Sequence, residues 1–176
     1  MLCRPTCLTI AGTGTKFPLR FNFSRAAGVR AHMEFPANFK EHHPEIFGSA
    51  VKESAETLAL LEKELVVVLP TPVRLFWLTC GSGLSNAAPS ARMSIEATGR
   101  FRRAVQLPTK YLVLDERGDA GAVLLDTQSV AGEVLWVSTY ALEKVGRPEL
   151  AAAEYDSYAS FFQWVSYCVQ EARDAL

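Results

Sequence analysis

The sequence predicts an α+β fold, with an N-terminal helix pair, an antiparallel β-meander sheet and a C-terminal helix packed on the sheet. Three patterns carry that expectation. Leu58, Leu61 and Leu65 recur at helical spacing until Pro70 breaks the run. Residues 111–114, 122–125 and 133–137 are compact apolar segments whose links are too short for a helical crossover, so they should pair as hairpins. Tyr158, Phe161, Val165, Cys168 and Ala172 then make a closing stripe of helical period.

In chain order, residues 33–48 read as loop, and the adjacent His42 and His43 as a surface turn, because neighbouring side chains diverge and rarely share a metal. Ser49 is placed to open the first long helix, with Glu53 and Glu56 near its positive end. The helix should run to about Leu65. Thr71 is placed to cap a second helix, with Pro72 in the first helical position, where its missing N–H costs nothing. Val73, Phe76 and Trp77 give this helix an apolar face, and Gly81 and Gly83 supply the freedom to end it. The two helices, joined by Leu69-Pro70-Thr71-Pro72, form a hydrophobic elbow that needs a broad packing partner.

Residues 86–90 read as a turn. From Arg92 the period changes to two: Met93, Ile95 and Ala97 alternate with Ser94, Glu96 and Thr98, as in a short strand with one wet face. The basic stretch 100–105 reads as a solvated edge or loop. Each meander segment is apolar on both faces, so part of the sheet should be covered twice. A polar link leads to the last helix, which Asp156 or Ser157 can cap.

With 176 residues, 49% of them hydrophobic, the chain suits one well-buried core. Its apolar runs fall short of the ~20 residues that span a bilayer, so it reads as soluble, with no membrane partner. Residues 1–32 hold five Lys or Arg and no acid, whereas the remaining 144 hold 13 basic and 19 acidic residues. That basic leader has the composition of a transit peptide, and its apolar stretch is short for a secretory signal. The favoured reading starts translation at Met33, leaving a single domain over 33–176. An acidic body is poorly suited to binding the nucleic-acid backbone and better suited to a basic protein.

Motifs for chemistry are weak. Cys3 and Cys7 lack a second ligand pair, and the four cysteines read as reduced thiols in a cytoplasmic protein, with no metal and no cofactor. The run from Gly12 to Lys16 fails the phosphate-loop pattern, since Thr15 precedes the lysine and Phe17 replaces the hydroxyl. Cys80-Gly81-Ser82-Gly83 is not a G-x-S-x-G turn and follows a helix rather than a strand. It reads as the end of the second helix, and no catalytic residue is assigned. Asp115, Glu116, Asp119, Asp126 and Glu133 do not match an EF-hand, leaving solvated turns or a partner-binding surface.

The order of these pieces resembles the SUKH superfamily of bacterial immunity proteins and fungal cell-wall synthesis regulators. The resemblance is carried by Leu61-Glu-Lys-Glu-Leu65 with Leu69-Pro70, by Phe76-Trp77-Leu-Thr-Cys-Gly-Ser-Gly83, by Gly121 to Asp126 with Gly132-Glu-Val-Leu-Trp136, and by Tyr158-Ala-Ser-Phe161-Phe162. It spans roughly residues 49–170. Cys80-Gly81 stands where members often have Asn-Gly, and residues 85–106 match nothing in the pattern. The resemblance implies a non-enzymatic task in a bacterial cytoplasm: binding and neutralising a cognate polymorphic toxin, often a nuclease or deaminase. A regulatory or scaffold role on the same fold is the alternative. For a toxin contact, Asp115, Glu116, Asp119 and Glu133 are the expected steering charges, and Trp136 and Tyr140 the candidate anchors, although ordinary core is the favoured reading of Trp136. The expected state is a monomer or weak dimer.

Overall fold

A computed structural model describes residues 39–47, 50–82 and 90–174. The basic leader, with Cys3, Cys7 and the Gly12 to Lys16 run, lies outside the described residues, as do Ser49, Gly83 and residues 86–89. The described elements are α1 (Phe39–His42), α2 (Pro44–Phe47), α3 (Ala55–Leu65), α4 (Thr71–Thr79), α5 (Ala91–Ala104), β1 (Tyr111–Glu116), β2 (Gly121–Asp126), β3 (Val134–Ser138), a 3-10 helix (Thr139–Lys144), β4 (Tyr155–Tyr158) and α6 (Phe161–Asp174). The α+β expectation holds: helices pack on a four-stranded antiparallel sheet of order β1-β2-β3-β4, and α6 lies against it.

The double coverage of the sheet follows from its strand pattern. Every residue of β2 is buried, so successive side chains feed opposite cores. On one face Leu112, Leu114, Val123, Leu125 and Val134 join the leucines of α3, Phe76 and Trp77 of α4, and Trp164 and Val165 of α6. On the other, Val113, Ala122, Leu124, Leu135 and Val137 pack with Leu107, Ala141, Leu142 and Val145. Gly121 at the start of β2 has φ +153, and a Cβ there would lie 2.1 Å from the Val137 carbonyl oxygen. Only glycine lets β2 and β3 close at that end.

The elbow forms as expected, with different caps. Ser54 rather than Ser49 caps α3, its hydroxyl accepting the Thr57 N–H at 3.1 Å. The residues before it are extended, because Val51 bridges Ser82 and Glu53 donates its N–H to the Trp77 carbonyl. Pro70, not Thr71, is the N-cap of α4, without a side-chain cap. The α3 terminus is held by Glu62, whose carboxylate accepts the Leu69 N–H at 2.7 Å and pairs with Arg74.

Expectations are also overturned in three further regions. Residues 92–98 are not a strand but the middle of α5, because the buried positions are Ala91, Ser94 and Thr98, spaced for a helix. Two of those core-facing residues are small and polar, which made the stretch look alternating. Ser90 caps this helix, its hydroxyl accepting the Met93 N–H at 3.3 Å, and the Glu53 carboxylate accepts from Ala91 at 2.9 Å. The basic stretch is its last turn, where Arg102 donates to the carbonyls of Leu65 and Thr109 at 2.7 and 2.6 Å.

Second, Asp156 and Ser157 do not cap the final helix. They lie in β4, paired with β3, and α6 begins at Phe161 with the Ser160 hydroxyl accepting the Gln163 N–H at 3.1 Å. Tyr158 belongs to that strand rather than to the helical stripe. Third, the histidine pair is not merely a surface turn within a loop. Residues 39–47 form two short helices whose Phe39 and Phe47 enter the core, and His43 packs at 4.9 Å, centroid to centroid, from Phe39. Burial, helped by the nearby Arg173, pulls the His43 pKa below its ordinary value.

Candidate functional site

The β1–β2 turn and the start of the 3-10 helix share one end of the sheet. The Thr139 N–H donates to the Ala120 carbonyl at 3.1 Å and the Thr139 hydroxyl to the Asp119 carbonyl at 2.7 Å. These bonds tie the backbone of the Asp119 turn to Thr139, the neighbour of Tyr140, and both Asp119 and Tyr140 are exposed, Tyr140 being 91% accessible. Few large aromatics are left so open, and an exposed tyrosine near an acidic turn in the fold is suited to contact with a protein.

Asp115 and Glu116 approach the same end but are partly neutralised. A register shift between Val113 and Asp115 sets Asp115 opposite Val123, towards the face that α6 covers. Burial there pushes its carboxyl above the usual value against the pull of Arg117, whose Nε lies 2.5 Å away. Glu116 is exposed and pairs with Arg100 on α5. Of the four expected steering charges, Asp119 therefore projects the most field at this end, and the other two act as ion pairs.

Glu133 is separated from the rest. It lies next to Asp126, accepting the Asp126 N–H on its backbone carbonyl at 2.8 Å, whereas Glu116 pairs with Ala122 at the opposite end of β2. Four residue steps of strand, about 13 Å, separate Ala122 from Asp126. Trp136 occupies the middle of β3, half-buried and packed on the larger core, so it is partly core and partly surface.

A second cluster lies at the sheet margin. β4 brings Asp156 opposite Trp136 and Tyr158 opposite Val134, on the face covered by α6. The Tyr158 and Tyr167 rings stand 5.5 Å apart at 44°. Burial and the neighbouring Cys168, Asp156 and Glu171 push both phenols up, Tyr167 to about 12. Cys168 is also raised to about 12 by burial, which makes it an unreactive thiol. The strand alternation of Tyr155 to Tyr158 was the available signal, hidden by the helical spacing of Tyr158 to Phe161.

The Cys80-Gly81-Ser82 turn has structural work. Cys80 is buried, and burial raises its thiol pKa, opposite to what a nucleophile needs. Ser82 exchanges backbone hydrogen bonds with Val51, and a Cβ on Gly81 would meet the Val51 carbonyl oxygen at 2.4 Å. A groove of about 370 Å³ runs between α3 and α5, lined by Thr57, Leu60, Glu64, Arg92, Ile95 and Glu96. Its charged rim is tied by the Arg92–Glu96 pair at 3.0 Å. Among the described residues, no three His, Cys, Asp or Glu side chains gather as metal ligands, and no helix is long and apolar enough to cross a membrane. No protein-family model matches the chain, and no curated protein matches it.

Proposed function

We propose that this protein is an immunity protein that binds and neutralises a basic protein toxin, of the nuclease or deaminase kind, in the cytoplasm. The observation that carries the reading is Tyr140, 91% exposed, next in the chain to Thr139, which two hydrogen bonds tie to the acidic turn at Asp119. A toxin that acts on nucleic acid needs positive charge to approach phosphate, and an acidic surface competes for that charge. The order of helix pair, meander and closing helix supports the reading, as does the excess of acidic residues over 33–176, 19 against 13 basic. Asp119 steers the encounter, Tyr140 anchors it, and Asp115 and Glu116 contribute through their pairs with Arg117 and Arg100.

Growth protection tests this. The partner recovered by pull-down from the native host is induced as the toxin in a host carrying the wild-type protein, Asp119→Lys or Tyr140→Ala. Wild type should restore growth, and each variant should lose protection while keeping its thermal unfolding midpoint, since both side chains are exposed. Failure of wild type to protect contradicts the reading. Protection by both variants equal to wild type removes this surface from it.

A further inference from the structure

β4 ends the sheet, and among the described residues nothing hydrogen-bonds to its outer edge. The other margin differs: α5 lies along β1, and its Thr98 hydroxyl takes the Val113 N–H at 2.8 Å. Register identifies the outward groups of β4. The Ser138 N–H points at the Glu154 carbonyl, so the residue pairs 138–154, 136–156 and 134–158 are the hydrogen-bonded ones. Tyr155 and Ser157 consequently turn their N–H and C=O groups away from β3. Asp156 and Tyr158 direct their side chains over the α6 face beside Tyr167 and Glu171.

We propose that the β4 edge accepts an extended segment of a basic protein, which adds as a fifth strand and lays a Lys or Arg side chain against Tyr158 and Tyr167, between Asp156 and Glu171. Two features act together. The edge supplies backbone hydrogen bonds that any extended chain could use, while the side chains beside it select charge. Tilted tyrosine rings present their negative faces to a cation, and the two carboxylates add Coulomb attraction. Among the described residues, no Lys or Arg pairs with Asp156 or Glu171, unlike Asp115 or Glu116. The same charges argue against a second copy of this chain as the occupant. Antiparallel pairing about β4 would bring Asp156 near its twin, and like charges across a ladder repel.

This rests on the partner being a basic protein, as proposed above, and it names where a second part of that partner docks. The probe is a capped synthetic peptide of about eight residues alternating Lys and Val, long enough for an ordinary strand, titrated into the isotope-labelled protein and followed by amide NMR. The Tyr155 and Ser157 resonances should move, and exchange of the Ser157 N–H with solvent should slow. Asp156→Lys with Glu171→Lys should weaken binding at least about tenfold. Ser157→Pro, which removes an outward donor and leaves the β3 ladder intact, should abolish it. A Glu-Val peptide should not bind.

No binding, equal binding of the acidic peptide, or shifts centred elsewhere would each overturn the proposal. Slowing of Ser157 exchange with the protein's own concentration, in the absence of peptide, would also overturn it by identifying a second copy as the occupant. The two readings fail separately. Peptide binding at β4 without growth protection leaves the edge site standing and removes the toxin. Growth protection without peptide binding does the reverse.

Discussion

Glu62 does more for the elbow than its exposure suggests. Its backbone carbonyl accepts the Val67 N–H at 3.0 Å, while its carboxylate takes the Leu69 N–H and pairs with Arg74. Burial works to raise the carboxyl, but the bonds from Arg74 and Leu69 outweigh it and hold the pKa below 4.5. A depressed folded value contributes stability above the unfolded pKa, and that contribution is lost as pH falls through the folded value. Urea unfolding from pH 7 to 3 should therefore show a loss beginning near pH 4.5. Glu62→Gln should cost about 2 kcal/mol at pH 7 and flatten the acid limb. An unchanged acid limb in the variant would mean that another group carries it.

Val66, next in the same turn, is strained. It closes α3 with φ 55, a left-handed conformation that a β-branched side chain adopts only at a cost, and it is 84% exposed. Val66→Gly relieves the strain and gives up little burial. It should raise the unfolding free energy by roughly 0.5–1 kcal/mol, after the added entropy of the unfolded chain is subtracted. A drop in stability would show that Val66 makes packing contacts that its exposure belies.

At the level of elements, α5 decides how the sheet ends. Thr98 is fully buried and its hydroxyl is the acceptor for a β1 backbone N–H. Thr98→Val keeps the shape and removes the acceptor, leaving a buried donor unsatisfied. That should cost about 1–3 kcal/mol in denaturant unfolding. A change below about 0.5 kcal/mol would place a water or another acceptor at Val113.

The same helix shows where sequence and structure part. The leucine stripe, Pro70 and the three apolar segments were legible because large apolar residues mark the buried face. In α5 the buried face is Ala91, Ser94 and Thr98, while Met93 is 60% exposed, so hydrophobic periodicity pointed to the wrong period. β4 was hidden for a related reason: a four-residue edge strand buries little, and Tyr158 falls at helical spacing from Phe161. The candidate site was legible in part. The Asp119 turn and the start of the 3-10 helix at Tyr140 share one end of the sheet through Thr139, whereas Glu133 belongs to the other end, a separation only the register reveals.

For the whole molecule, charge and shape point the same way. The sheet is buried on both faces, one margin is closed by a helix, and the remaining margin and one end carry the exposed acidic and aromatic groups. Recognition as proposed is steering by carboxylates followed by seating of tyrosines. The most direct test is the association rate of the purified protein with the binding partner recovered by pull-down from its host, followed by stopped-flow fluorescence across a salt series. The rate should fall steeply with ionic strength and drop at least about threefold in Asp119→Lys combined with Glu116→Lys, with a shallower salt slope. A rate that is independent of salt and identical in the double variant would contradict the proposal.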